Sequence, residues 1–137
     1  MRRAAAGAGA GMSAARANCV VAVVDDEFII AEGLTLQLED LGLTVCGTAA
    51  TADDAVALAQ AKRPALVLMD VRLEGEKDGV DAAIAIHETV GSKVIFVTGS
   101  REPATMARIQ LDHPAGVLFK PISDRQLKQA IDAALAD

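Results

Sequence analysis

From Cys19 onward, short runs of β-branched and other apolar residues alternate five times with longer stretches of helical periodicity. The runs are apolar throughout, not on alternate residues, which is the pattern of strands covered on both faces of a parallel sheet. The spacing predicts strands at 19–24, 43–48, 65–70, 93–97 and 116–119 and helices at 27–41, 52–62, 79–90, 103–111 and 123–136. In the first helix Ile29, Ile30, Leu34, Leu38 and Leu41 recur at spacings of three and four and are expected to be buried, with Gly42 ending the helix. Asp53, Asp54 and Ser123 stand near helix starts, where short polar side chains satisfy free amides, and Pro64 and Pro103 fall at boundaries. Five βα repeats of this kind imply an α/β, doubly wound fold. Right-handed crossovers put the carboxyl end of every strand on one edge, and ligands of such sheets bind there.

Composition bounds what that edge can serve. The 137 residues are 52% hydrophobic, enough for one domain with a substantial core. With no Trp or Tyr, that core must be built from Val, Leu, Ile and Ala. A formal net charge of −6, without a basic stripe or aromatic platform, argues against direct nucleic-acid binding. No apolar run approaches the roughly 18 residues of a membrane helix, so a soluble, cytoplasmic protein is expected. Cys19 and Cys46 occupy apolar strand positions and read as small buried hydrophobes with reduced thiols. Residues 1–18 are Arg-, Ala- and Gly-rich without periodicity and are expected to form a disordered tail, leaving 19–137 as the folded domain. Ala and Gly in place of a Leu- or Val-rich segment argue against a secretory signal there, and Met12 is a second candidate start.

Polar residues stand where the hydrophobic runs end: Asp25 and Asp26 after the first, Asp70 after the third, Thr98 after the fourth and Lys120 after the fifth. Three carboxylates held close repel one another and raise their own pKa values unless a cation sits among them. A hard divalent ion that accepts oxygen ligands, Mg²⁺ first, answers that demand. One carboxylate oxygen could then attack an electrophilic phosphorus, while Lys120 offers an ammonium and Thr98 a hydroxyl to the phosphoryl oxygens. Asp70 is the expected nucleophile, because Asp25 and Asp26 share one loop and can chelate together. Each element alone has an ordinary structural reading, Asp-Asp as a helix cap and Lys-Pro as a helix lead-in; the joint placement points to a site. His87 and His113 lack a partner at metal-ligand spacing and read as structural surface residues. The charged run Glu74 to Asp78 reads as a solvated loop, and Ile84, Ile86 and Val90 as core or half-core.

In order and spacing these residues resemble the receiver domain of two-component response regulators, over about residues 19–136. Val23-Val-Asp-Asp-Glu27 is similar to that family's metal-holding acidic pair, and Leu68-Met-Asp-Val71 to its phosphoacceptor segment. Val97-Thr-Gly99 matches the switch threonine, and Phe119-Lys-Pro121 the lysine followed by a proline often held in cis. The resemblance implies a flavodoxin-like (βα)5 fold with a five-stranded parallel sheet in order 2-1-3-4-5. It implies phosphoryl transfer to Asp70 from a sensor histidine kinase or histidine phosphotransfer protein, followed by slow hydrolysis. The metal, Mg²⁺ or Mn²⁺, would be held by Asp25, Asp26, Asp70 and the backbone carbonyl of Arg72. By the same resemblance the protein is not an enzyme toward other molecules and catalyses only its own phosphorylation and autodephosphorylation. An aspartyl-nucleophile phosphatase is disfavoured, since Asp70 is followed by Val-Arg-Leu and not by a second Asp two residues on.

The sequence also departs from the family pattern. The loop from Val71 to Gly79 is one residue longer than usual, with Glu74 where proline is frequent, and the Arg72 side chain is expected to tune phosphate lifetime. Val117 stands where many receivers carry the Tyr or Phe whose rotation reports phosphorylation. Phe96-Val-Thr-Gly-Ser100 is instead similar to an alphaproteobacterial subgroup with a Phe-x-Thr-Gly pattern and no aromatic switch, although Arg101 stands where that subgroup often shows an aromatic. Movement of Thr98 is therefore expected to be relayed through the loop from Gly99 to Pro103 and the helix after it, with Arg72, Gly99, Val117 and Pro121 as modulating positions. The sequence stops at Asp137, just past the last predicted helix, so output is expected through a partner protein. The alternative is a signalling-silent receiver used as a binding module, or the receiver portion of a hybrid histidine kinase. Arg108, Asp112, Arg125, Lys128 and Asp132 on the face of the fourth and fifth helices carry both signs without a decisive pattern, which leaves monomer or weak dimer open.

Overall fold

A computed structural model describes residues 20–136. The tail expected at 1–18, and Cys19, lie outside the described residues. Strands and helices alternate as β1 (Val20–Val24), α1 (Phe28–Asp40), β2 (Thr44–Ala49), α2 (Ala52–Lys62), β3 (Leu66–Asp70), α3 (Gly79–Thr89), β4 (Lys93–Thr98), α4 (Pro103–Gln110), β5 (Gly116–Phe119) and α5 (Asp124–Ala134). The sheet is parallel with order β2-β1-β3-β4-β5. This is the flavodoxin-like arrangement, and the strand order reverses between β1 and β3.

Two cores explain why the strands are apolar throughout. Val21, Val23, Leu66, Leu68, Ile95 and Val97 point to one face, where they meet Ala31, Leu34 and Leu38 of α1 and Leu127, Ile131 and Ala134 of α5. The residues between them, Ala22, Val24, Val67, Met69, Val94 and Phe96, point to the other face, against Ala52, Ala55 and Ala59 of α2, Val80, Ala83 and Ile86 of α3 and Ile109 of α4. Alternate side chains of one strand thus fill different layers. Among the described residues, no helix is long and apolar enough to cross a membrane.

The phase of α1 differs from the expected one. Leu34 and Leu38 are buried, but Ile29 is 81% exposed and Ile30 36%, and Ala31 takes the inward place. Eight apolar side chains from Phe28 to Leu41 make more than one stripe apolar, and the one that faces the sheet carries the small Ala31 with Leu34 and Leu38. Leu41 is half-buried against that core, and Gly42 adopts φ +87 just past the helix end. The helix starts are satisfied locally. Thr51, not Asp53 or Asp54, caps α2 by accepting the Asp54 N–H at 3.1 Å. Asp78 with Asp81, and Ser123 with Gln126, form reciprocal capping boxes on α3 and α5. Cys46 is half-buried, and burial pushes its thiol pKa up.

Candidate functional site

The carboxyl edge of the sheet gathers the polar residues that follow the strands. Asp25 and Asp26 leave β1, Asp70 ends β3, Thr98 ends β4 and Lys120 follows β5. The Asp25 N–H donates to the Ala49 carbonyl at 3.0 Å, pinning this loop to β2, and the Asp25 carboxylate accepts the Glu27 N–H at 2.9 Å. Asp70 is held from behind by α3: the Gly79 N–H donates to the Val71 carbonyl at 2.7 Å. Gly79 packs so closely that an added Cβ would lie 2.0 Å from the Asp70 carbonyl oxygen. The Lys120 N–H donates to the Thr98 carbonyl at 2.9 Å, tying the ends of β4 and β5 together, and the Lys120–Pro121 peptide is cis.

One carboxylate oxygen from each of Asp25, Asp26 and Asp70 falls within 4.8 Å of the others. Lys120 Nζ donates to Asp25 at 3.0 Å and to Asp70 at 3.4 Å. Asp25 and Asp70 are buried and Asp26 is half-buried. Burial raises the Asp70 pKa to about 6, the Lys120 charge acting against the rise and the Asp25 charge with it, while the Arg72 backbone N–H favours the ionised form. Burial alone would lower the Lys120 pKa, but its hydrogen bonds and charge contacts with Asp25 and Asp70 prevail and hold it above the usual lysine value. Three acids against one ammonium leave excess negative charge on oxygen donors alone, a set suited to a hard divalent cation.

A cleft of about 790 Å³ opens over this cluster, lined by Asp26, Asp70, Arg72, Thr98, Arg101 and Lys120 among others. Gly99 also lines it, and the Arg72 side chain is exposed on its rim. Thr98 is buried, and its Oγ1 accepts the Ser100 N–H at 3.0 Å. That leaves the hydroxyl proton available to a group in the cleft. Val117 is half-buried opposite Phe96, packed with the α2–α4 core, and Pro121 is exposed; neither is among the cleft-lining residues.

Three long-range contacts escaped the sequence reading. Arg108 of α4 pairs with Asp78 and reaches Asp81 at 3.3 Å, so the charged run from Glu74 to Asp78 is not wholly a solvated loop. Burial alone would raise the Asp78 pKa, but the Asp81 amide and the Arg108 guanidinium hold it below the usual carboxylate range. His87 is half-buried and its Nδ1 pairs with Asp112, joining α3 to the turn after α4. Arg101 places its guanidinium carbon 3.8 Å from the centroid of the Phe119 ring. Each partner is 18 to 30 positions away, beyond any local periodicity.

The family model of the response regulator receiver domain matches residues 21–132. This chain belongs to that family. The receiver is 33% identical to the phyllosphere-induced regulator PhyR of Methylorubrum extorquens over 116 residues, 84% of this chain and 43% of that protein. It is 30% identical to the transcriptional regulatory protein PdtaR of Mycobacterium tuberculosis, covering 85% of this chain and 56% of PdtaR, and 33% identical to the response regulator GacA of Pseudomonas aeruginosa, covering 85% and 55%. The chain thus spans about half the length of these relatives. Among solved structures, the signal receiver domain of a modulated diguanylate cyclase from Desulfovibrio desulfuricans superimposes with a TM-score of 0.82 at 33% identity, covering 87% of this chain and 94% of that one. A CheY-like receiver from Methanospirillum hungatei gives 0.80 at 26% identity, with 87% and 94% covered.

Proposed function

We propose that this receiver accepts a phosphoryl group on Asp70 from a sensor histidine kinase or a histidine phosphotransfer protein, and that it signals or relays through a partner protein. The observation that carries the reading is the Asp70 carboxylate at the floor of an open cleft, flanked by Lys120 at 3.4 Å and by the Asp25 and Asp26 oxygens. In the transfer an Asp70 oxygen attacks the phosphorus of a phosphohistidine. The O–P bond forms as the N–P bond breaks, and the donor imidazole leaves with the electron pair. Lys120 shifts from carboxylate to phosphoryl oxygen as negative charge moves onto the latter, and Thr98 donates its free hydroxyl proton to another oxygen. Asp25, Asp26 and Asp70, with the backbone carbonyl of Arg72, would hold Mg²⁺ (or Mn²⁺), which would supply charge neutralisation at the carboxylate and the incoming phosphoryl group.

The protein then acts on no substrate but itself, forming and hydrolysing its own acyl phosphate. Arg72 lines the cleft that holds Asp70 and is exposed to solvent, so Arg72→Ala is expected to change the rate of phosphoryl loss severalfold. An unchanged decay of the labelled protein would remove Arg72 from that role. The central test is incubation with acetyl phosphate or phosphoramidate and Mg²⁺, read by intact mass. The expected result is one added phosphoryl group in the wild type and none in Asp70→Asn. A wild type that never gains mass would leave a signalling-silent binding module.

A further inference from the structure

Val117 has no ring with which to follow Thr98, yet a ring does stand beside the loop that Thr98 begins. Phe119 is paired in register with Thr98 and directly precedes Lys120. Its face is covered by the guanidinium of Arg101, 3.8 Å from the ring centroid. Arg101 is exposed, and it lines the same cleft as Asp70 and Lys120. Among the described residues it pairs with no carboxylate, in contrast to Arg108, which holds Asp78 and Asp81.

Two partners of unequal strength are therefore offered to one cation in one cleft. An exposed cation–π contact is weak. A phosphoryl group on Asp70 would bring anionic oxygens that a guanidinium binds through charge-assisted, bidentate hydrogen bonds. Which partner prevails depends on whether Asp70 carries the group. Resting on the phosphoacceptor reading above, we infer that Arg101 is the phosphoryl-sensing switch of this receiver: it lies on Phe119 while Asp70 is free and turns to the phosphoryl oxygens once they arrive.

The chain around Arg101 passes that movement on. Residue 100 donates its N–H to Thr98 Oγ1 at 3.0 Å, and the Ser100 hydroxyl accepts the Glu102 N–H at 3.2 Å. Arg101 sits between these two anchors, and α4 begins at Pro103 immediately after them. Helix α4 has one buried residue, Ile109, so a pull at its start meets little packing resistance.

Proton NMR of the full chain tests this, because the only aromatic side chains besides two histidines are Phe28, Phe96 and Phe119. In the free protein the Arg101 δ-methylene protons should resonate upfield, and the shift should vanish in Phe119→Leu. Mg²⁺ with beryllofluoride as phosphoryl mimic should relieve the upfield shift and move the amides of residues 99–110. In Arg101→Ala the amide response across 103–110 should fall to less than half, and Arg101→Lys, which keeps the charge, should restore part of it. The inference is overturned if acetyl phosphate adds mass to the wild type while beryllofluoride leaves Arg101 upfield, or if Arg101→Ala keeps the full 103–110 response. No mass gain and no beryllofluoride response in the wild type would instead overturn the phosphoacceptor reading, and this inference with it.

Discussion

Burial lifts the Asp70 carboxyl from the usual 3.8 to about 6, against the pull of the Lys120 charge and with the push of Asp25. Its pKa is thus higher folded than unfolded, so its contribution to stability is complete below about pH 4 and is lost as pH rises through 6. A difference of about two units corresponds to roughly 3 kcal/mol. Asp70→Asn, which cannot ionise, is expected to be more stable than wild type by roughly 2–3 kcal/mol at pH 8 in metal-free buffer, and to lose that advantage near pH 4. Urea unfolding of both proteins at the two pH values checks this; an advantage independent of pH would locate its cause in packing. At this scale most of the site was legible, because Asp25, Asp26, Asp70, Thr98 and Lys120 each follow an apolar run. Arg101 was visible only as a departure from a family pattern, since its partner Phe119 belongs to another strand.

The position of Asp70 depends on how tightly α3 closes on the end of β3. Helix propensity alone favours Gly79→Ala by up to about 1 kcal/mol. The Asp70 carbonyl oxygen lies 2.0 Å from where the new Cβ would stand, so the backbone must move and the sign reverses. A loss of roughly 2–3 kcal/mol is expected by chemical denaturation, together with weaker phosphorylation of Asp70; a gain in stability would mean that the helix start relaxes freely. Helix α1 supplies a paired test. Leu38 is fully buried and Ile29 is 81% exposed. Leu38→Ala should therefore cost about 2–5 kcal/mol, whereas Ile29→Glu should stay within about 0.5 kcal/mol of wild type. Equal costs would restore the inward phase first expected for Ile29. That phase was illegible because α1 is apolar on more than one side, while α5, with polar residues between Leu127, Ile131 and Ala134, has a single apolar stripe.

Across the whole molecule, the crossovers bring residues from positions 25 to 120 to one edge, and the acids gathered there outnumber the ammonium. A divalent cation that binds this cluster in the folded chain must raise stability by mass action, about 2.7 kcal/mol at a hundredfold excess over Kd. Thermal unfolding is expected to shift upward with Mg²⁺ in the wild type and much less in Asp26→Asn, which keeps the buried Asp25–Lys120 pair but loses one metal oxygen. Identical Mg²⁺ responses would exclude Asp26 as a ligand. The amino-acid sequence by itself determined the number and order of strands and helices, the two-sided burial of the sheet and the edge on which chemistry collects, since these follow from local periodicity and from the handedness of βα units. Only the tertiary structure decided which face of α1 turns inward, that Asp78 and His87 find partners on and beyond α4, and that Arg101 lies on Phe119. Those outcomes depend on shape and charge meeting across segments distant along the chain, and no local pattern carries that information.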